Sequence, residues 1–325
     1  MAQLPSDLPN IPDIPDVLAA RRVLQGIARR TTVLTSEALD RESGAQLFFK
    51  AESLQVTGSF KVRGAYNKIR SLSEADLARG LITVSAGNAA LGAAWAARAA
   101  GAALVVVMPE TAVAEKLAAV AAMGARIEKQ GITNATEAFA RLAELREAHG
   151  YTLVHPFDDP RVVAGAATAA WELLEEVPDL DVLVVPASGG GLLGGTLLAA
   201  RGLAPLARVY GVQPAGADGI VRSLAAGTPT APEKVSTVAD GLTAPRPGAV
   251  NLELIRRYAT GVVTVPDAAI LAAMGLLIRH LKVVVEPAGA AGLAGALAHA
   301  ELRGRRVGII LSGSKTGMER VREVL

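Results

Sequence analysis

The chain contains no cysteine. That excludes disulfides, thiolate metal sites and a cysteine nucleophile; a reducing cytoplasm is compatible with it, and the cytoplasm is the expected location. Aromatic residues make up only 3% of the chain, so aliphatic and small side chains must fill the core. Histidine is scarce, and His149, His280 and His299 show no metal-ligand spacing; all three are expected near the surface of amphipathic helices. No run of lysine or arginine stands out. With a net charge of +2, the sequence offers no electrostatic footprint for nucleic acid. The N-terminus has no basic-then-apolar signal pattern. A membrane span is not expected either: Val182 to Ala200 is uncharged, but Pro186 and five glycines interrupt it, so strand, loop and helix fit better.

What is present is 325 residues, 51% of them hydrophobic, with much alanine and 33 glycines. This suits a closely packed α/β protein large enough for two core-bearing units. Residues 1–15, with Pro5, Pro9, Pro12 and Pro15, read as an extended arm, after which Asp16 can cap a helix to about Arg30. Thr31 to Leu39 reads as a connector. Apolar runs then alternate with Ala-rich helices. Strands are predicted at Leu47–Ala51, Leu81–Val84, Ala103–Met108, Ala125–Glu128, Tyr151–His155, Val182–Pro186, Arg208–Gln213, Val262–Val265 and Val307–Leu311. Gly101, Gly124 and Gly150 sit where helix C-caps belong, and Asn134 with Glu137 resembles a capping box. This is the rhythm of a parallel sheet covered by helices. Residues 228–260 are the least regular and read equally as an active-site loop or a surface excursion.

Four stretches carry chemistry. In Glu52 to Tyr66, Thr57-Gly58 break a buried strand and Ser59 is placed to cap the following helix, which puts Lys61 in the first turn. The positive helix end and the apolar neighbours Phe60 and Val62 push its pKa toward the neutral amine that forms Schiff bases. Ser188-Gly-Gly-Gly-Leu192 lies between a buried strand and a helix and reads as a phosphate cradle. Gly189, Gly191 and Gly194 also spell the dinucleotide fingerprint, but the next strand ends in Gln213 where an acidic residue is needed, so dinucleotide binding is the weaker reading. Ser85-Ala-Gly-Asn88 again leaves a strand and opens a helix; it either binds a carboxylate, with the Asn88 amide directed at a phenolate oxygen, or is a plain turn. Ser312 stands at the carboxyl end of the last strand, where a hydroxyl facing a pyridine nitrogen would share its proton and favour rapid loss of a β-substituent.

Taken together, these stretches resemble the fold-type II pyridoxal phosphate enzymes, in particular the serine/threonine dehydratase and serine racemase branch. The resemblance runs from about Arg30 to Gly317 and includes Leu54 to Ala65, Ser85 to Asn88, His155 to Pro160, Ser188 to Leu192, Ala239 to Leu242 and Val285 to Gly292. It implies a large domain from residues 1–81 and 157–325, with a small α/β domain from 82–156. Lys61 would then be the Schiff-base lysine that also moves the Cα proton. Phe60 would pack by the ring, Asn88 would bond O3′, and Ser188, Gly189, Gly190, Gly191 and Leu192 would bind the phosphate. Ser312 would face the ring nitrogen, and Ser85, Ala86, Gly87 and Asn88 would hold the substrate carboxylate. No histidine lies in these loops to serve as the acid. The implied reaction converts a β-hydroxy amino acid, serine, threonine or a bulkier relative, to a 2-oxo acid and ammonia. The implied assembly is a homodimer.

The departures matter as well. Racemases of the branch carry a second serine at the position of Ala86, and alanine cannot move a proton, so elimination is favoured. Ala89 replaces a usual histidine, Leu91 a glutamine and Lys315 an asparagine, which implies an altered pocket. The branch's divalent-cation ligands fall on Gln213, Ala217 and Gly219, so no tightly held metal is expected, and Asp218 reads as a solvated loop residue. Glu286 is expected near the cofactor. No regulatory module follows Leu325, so feedback control of the kind found in longer threonine dehydratases is not expected. The remaining alternatives are a racemase of the same branch, a β-replacement synthase and a non-catalytic dinucleotide-binding domain.

Overall fold

The computed structural model describes residues 10–112, 114–133 and 135–325. The expectations about Pro5, Pro9 and Asn134 fall on residues outside that set. The strands are β1 (Val33–Leu34), β2 (Gln46–Lys50), β3 (Leu81–Val84), β4 (Leu104–Val107), β5 (Arg126–Glu128), β6 (Thr152–Leu153), β7 (Val182–Pro186), β8 (Arg208–Pro214), β9 (Gly261–Val265) and β10 (Arg306–Ile310). They form two sheets, one in the order β1-β2-β10-β7-β8-β9 and one in the order β5-β4-β3-β6. Every pairing is parallel except that of β1 with β2.

Strands β3, β4 and β7 are buried along their whole length. Unbroken runs such as Leu-Val-Val-Val at β4 are what a parallel strand with helices on both faces requires. The order of the larger sheet sets β10 between β2 and β7, so the segments leaving the carboxyl ends of these three strands emerge side by side. That is where open α/β sheets bind ligands. The Lys61–Arg70 helix lies close against the Pro160–Glu176 helix: a Cβ on Gly165 would come within 2.5 Å of the Arg63 carbonyl oxygen. A larger residue at 165 would force the two helices apart.

Beneath that contact lies a buried ionic network. Arg63 donates to Glu52 through Nε and Nη2 (2.8 Å each), to Glu172 (2.7 and 2.9 Å) and to Thr168 (3.1 Å). Lys50 joins it through Glu172 and the Thr31 carbonyl, both at 2.7 Å. Burial opposes all these charges, and the reciprocal ion pairs with full hydrogen bonding offset that cost. The Glu52 carboxyl is held below its ordinary range by Arg63 against strong desolvation.

Three local expectations are corrected. The first helix spans Ile14–Leu24 and is capped by Asp13, not Asp16; Asp16 is the N3 member of the same capping box, and Pro15 occupies the first turn. The segment from Thr31 to Leu39 holds β1 and the start of a helix, Glu37–Ser43, capped by Ser36. Ser59 does not cap the Lys61 helix. Phe60 takes the N-cap position without a side-chain bond, while Ser59 is drawn into an antiparallel bridge with Gly313. Gly101, Gly124 and Gly150 all adopt positive φ after their helices, the conformation that ends a helix. No helix among the described residues is long and apolar enough to cross a membrane.

Candidate active site

Lys61 is the first residue of its helix; it is half-buried as a residue, with its amine turned into a cavity where it is largely desolvated. Its Nζ donates to the Pro156 carbonyl at 2.9 Å and lies 5.1 Å from the Phe60 ring centre. Desolvation lowers its pKa to about 8, with Glu286 pulling the other way. A substantial neutral fraction at physiological pH follows, as a nucleophilic amine needs. The bridge from Ser59 to Gly313 and the bond from Phe60 N–H to the Ser312 carbonyl (3.1 Å) fasten this helix end to the loop after β10.

The loop after β7 approaches from the neighbouring strand. Gly190 has φ +91°, and the helix starts at Gly191. The first intrahelical bond in this stretch runs from Gly194 N–H to the Gly190 carbonyl (2.7 Å). The preceding N–H groups have no intrahelical acceptor, which makes this end an anion site. A Cβ on Gly189 would sit 2.4 Å from the Phe157 ring, so only glycine fits. The Gly189 carbonyl accepts from Asn251 Nδ2 (2.8 Å) and Gly248 N–H (3.1 Å). Ser188 Oγ accepts from Ala244 N–H at 3.1 Å and keeps its own proton to donate.

From the smaller sheet, the loop after β3 brings Ser85, Ala86, Gly87 and Asn88. Ser85 Oγ accepts from Gly87 N–H at 3.1 Å. Asn88 opens the next helix, its Nδ2 donating to Glu286 Oε1, while Oδ1 is buried without a hydrogen-bond partner. Glu286 is buried at the N-cap of the Pro287–Ala298 helix. Desolvation raises its pKa to about 7, against the Asn88 bond and the charge of Lys116.

One cavity of about 580 Å³ is lined by all twelve of the residues singled out in the sequence: Phe60, Lys61, Ser85, Ala86, Gly87, Asn88, Ser188, Gly189, Gly190, Gly191, Leu192 and Ser312. Residues 240–245 line it too, so part of the irregular 228–260 segment borders the site. Glu286, Lys116, Ala89 and Lys315 also face it. Leu91, expected to alter the pocket, instead packs in the core of the smaller sheet with Ala94 and Val106. His155 belongs to a matched stretch but was given no role from the sequence; burial lowers its pKa, and the charge of Lys61 adds to that shift. The only signal for it was its place just before the Pro-Phe-Asp-Asp-Pro run.

At the positions compared with a cation site, Gln213 Nε2 donates to the Ala217 carbonyl (3.0 Å), and its Oε1 accepts from Ile220 and Val221 N–H (3.0 and 3.2 Å). Asp218 is engaged by Arg222 at 2.7 Å rather than simply solvated. Among the described residues no cluster of histidine and acidic side chains could hold a metal ion.

Residues 24–313 match the family described as pyridoxal-phosphate dependent enzyme. The chain belongs to that family. This pyridoxal-phosphate-dependent enzyme is 43% identical over 314 residues to an L-threo-3-hydroxyaspartate ammonia-lyase of a Pseudomonas species, covering 95% of this chain and 97% of the relative. It is 37% identical over 310 residues to the L-threonine ammonia-lyase of Thermotoga maritima, covering 95% of this chain and 77% of that one. It superimposes on the crystal structure of serine racemase from Dictyostelium discoideum with a TM-score of 0.87 at 36% identity, over 94% of this chain and 99% of the other. Its architecture is therefore that of fold-type II. The cofactor fits the residues present: the glycine-lined helix end suits a phosphate dianion, the Lys61 amine of lowered pKa suits an aldehyde, and Asn88 and Ser312 offer polar atoms to the ring.

Proposed function

We propose that this enzyme is an ammonia-lyase that eliminates water from a β-hydroxy amino acid and releases a 2-oxo acid and ammonia. The reading rests on one observation above the others: a desolvated amine of lowered pKa and a glycine-lined helix N-terminus share a single cavity. The names of the ammonia-lyase relatives support it.

Ser188 to Leu192 would hold the cofactor phosphate, Lys61 its aldehyde carbon, Asn88 its phenolic oxygen and Ser312 its ring nitrogen, with Phe60 packed alongside. Bound there, the cofactor supplies an electron sink for the bond broken at Cα. Backbone N–H groups of Ser85 to Asn88, with the Ser85 hydroxyl, hold the substrate carboxylate and fix the Cα–H bond toward Lys61. Set free when the substrate's amino group takes its place at that carbon, the neutral Lys61 amine would take the Cα proton; the β-hydroxyl would leave with one proton as water, so that the H lost at Cα and the OH lost at Cβ balance; and the resulting enamine would be hydrolysed by one further water to the 2-oxo acid and ammonia. Ser312 shares rather than donates a proton, which keeps the site suited to elimination. Ala86 has no proton to give on the opposite face, which disfavours racemisation.

The test is a panel of L- and D-β-hydroxy amino acids scored for 2-oxo acid and for inverted amino acid, with Lys61→Ala as control. Formation of the opposite enantiomer without 2-oxo acid would replace this reading with racemisation.

A further inference from the structure

The Lys61 amine is held by a carbonyl whose own position depends on a partly buried imidazole. His155 Nδ1 accepts two backbone hydrogen bonds, from Asp158 N–H at 2.8 Å and Phe157 N–H at 3.3 Å. A nitrogen that accepts from two N–H groups carries no proton, so the ring is the neutral tautomer with its proton on Nε2. The turn closed in this way contains Pro156, and the Pro156 carbonyl is the acceptor for Lys61 Nζ at 2.9 Å.

The next three residues are anchored elsewhere. The Phe157 carbonyl accepts from Asn251 Nδ2 at 2.9 Å, Asp158 caps the Ala249–Tyr258 helix through Ala249 and Val250 N–H (3.0 and 3.1 Å), and Asp159 caps the Pro160–Glu176 helix. Ahead of the turn, Val154 is fixed to β3 through Ile82 and Thr83. With both flanks held, the bonds to Nδ1 set the direction of the one carbonyl between them.

We propose that His155 is the positioning residue for Lys61, and that its unprotonated Nδ1 keeps the Pro156 carbonyl in place to orient the amine. An amine that donates to Pro156 has its lone pair directed away from that carbonyl, which is the orientation a base and nucleophile must hold. Protonation of Nδ1 removes both acceptor bonds and sets a cation near Lys61. The charged groups around the ring are Lys61 on its helix and Asp158 and Asp159 on the turn itself. From the 135–149 helix, Phe139 packs near the ring, at 6.3 Å between ring centres. Burial and Lys61 outweigh the two carboxylates, so the ring stays neutral below the usual histidine range.

This deepens the proposed function, since it takes Lys61 as the working amine, and the two can fail separately. Two variants are compared with the parent as holoenzymes. His155→Ala removes the acceptor. His155→Asn restores a side-chain oxygen that can accept from the same turn but does not titrate. Expected for His155→Ala is a fall in kcat of about tenfold or more with KM little changed. His155→Asn should regain most of that loss and, while keeping the fall in kcat that Lys61 protonation causes in both proteins, lack the further fall that the parent shows at lower pH as His155 takes a proton.

A second measurement needs no turnover. In protein stripped of cofactor, the pH dependence of Lys61 labelling by an amine-selective reagent gives the lysine midpoint by mass spectrometry. The parent and His155→Asn should share it, and His155→Ala should move it upward toward that of an ordinary lysine as water reaches the amine. Equal midpoints and kcat within about twofold in all three proteins would overturn the proposal. So would His155→Asn behaving like His155→Ala at an unchanged thermal midpoint. Turnover by Lys61→Ala at the parental rate would instead sink the proposed function and leave the labelling result standing.

Discussion

Asn88 Nδ2 and Glu286 Oε1 are 2.6 Å apart although 198 residues separate them in the chain. One opens a helix behind the smaller sheet; the other precedes a helix packed on the larger. The contact closes the cavity between the two sheets with a hydrogen bond whose strength depends on the protonation of Glu286. Burial raises that pKa to about 7, from an ordinary value of 4.5. The folded protein thus keeps a proton that the unfolded chain has already lost.

The stabilisation linked to Glu286 is fully present below pH 4.5 and is lost as pH rises through 7. Thermal midpoints of the cofactor-free protein should therefore decline over that interval, and Glu286→Gln should flatten the decline. An identical slope in the variant would mean that another group titrates there.

Lys61→Ala should abolish 2-oxo acid release, with a loss of at least about a thousandfold, while the fold persists. In the parent, the rate at which added pyridoxal phosphate is covalently captured should climb with pH and level off above about 8, because the neutral amine dominates only above its pKa. Stopped-flow absorbance measures this directly, and borohydride reduction followed by peptide mapping should find the label on Lys61.

Gly189→Ala should weaken cofactor affinity more than it weakens the fold. The added methyl meets the Phe157 ring at 2.4 Å, so either the glycine loop or the 155–158 turn must shift. Equilibrium dialysis should show looser binding by about tenfold or more, since a misaligned set of N–H groups loses charge-assisted bonds worth about 1.5–3 kcal/mol each.

Arg63→Met should destabilise the protein by about 3–5 kcal/mol, because Glu52 would be left ionised and buried without its partner. Denaturant titration should show the loss. Arg63→Lys should recover only part of it, since an ammonium cannot reach Glu52 and Glu172 with the same forked set of bonds.

The strands were readable because parallel strands covered on both faces need continuous apolar runs; Leu81–Val84 and Val182–Pro186 coincide with the expected spans residue for residue. The two-residue β1 has too little pattern to be seen. Caps were less legible: Asp13 and Asp16 are chemically identical candidates, and the capping box uses both. Ser59 misled because its competing partner, Gly313, lies at the far end of the chain, and no local rule reports such a bridge. The glycine loop and Lys61 were legible as candidates because the reading rests on local backbone, and one cavity brings them together. His155 was seen only as part of a matched stretch, because the role proposed for it depends on a carbonyl beside it receiving a lysine 95 residues away.

The place of β10 between β2 and β7 has a consequence for how the protein is made. On the ribosome, the segment bearing Lys61 emerges about 250 residues before the segment bearing Ser312, yet the strands that precede them must zip together as sheet neighbours. A nascent chain halted before residue 306 would leave β2 and β7 with a gap between them and the lysine helix without its tether. Competence to take up vitamin B6 should therefore arise abruptly, once β10 has been made, rather than accumulate as the polypeptide lengthens.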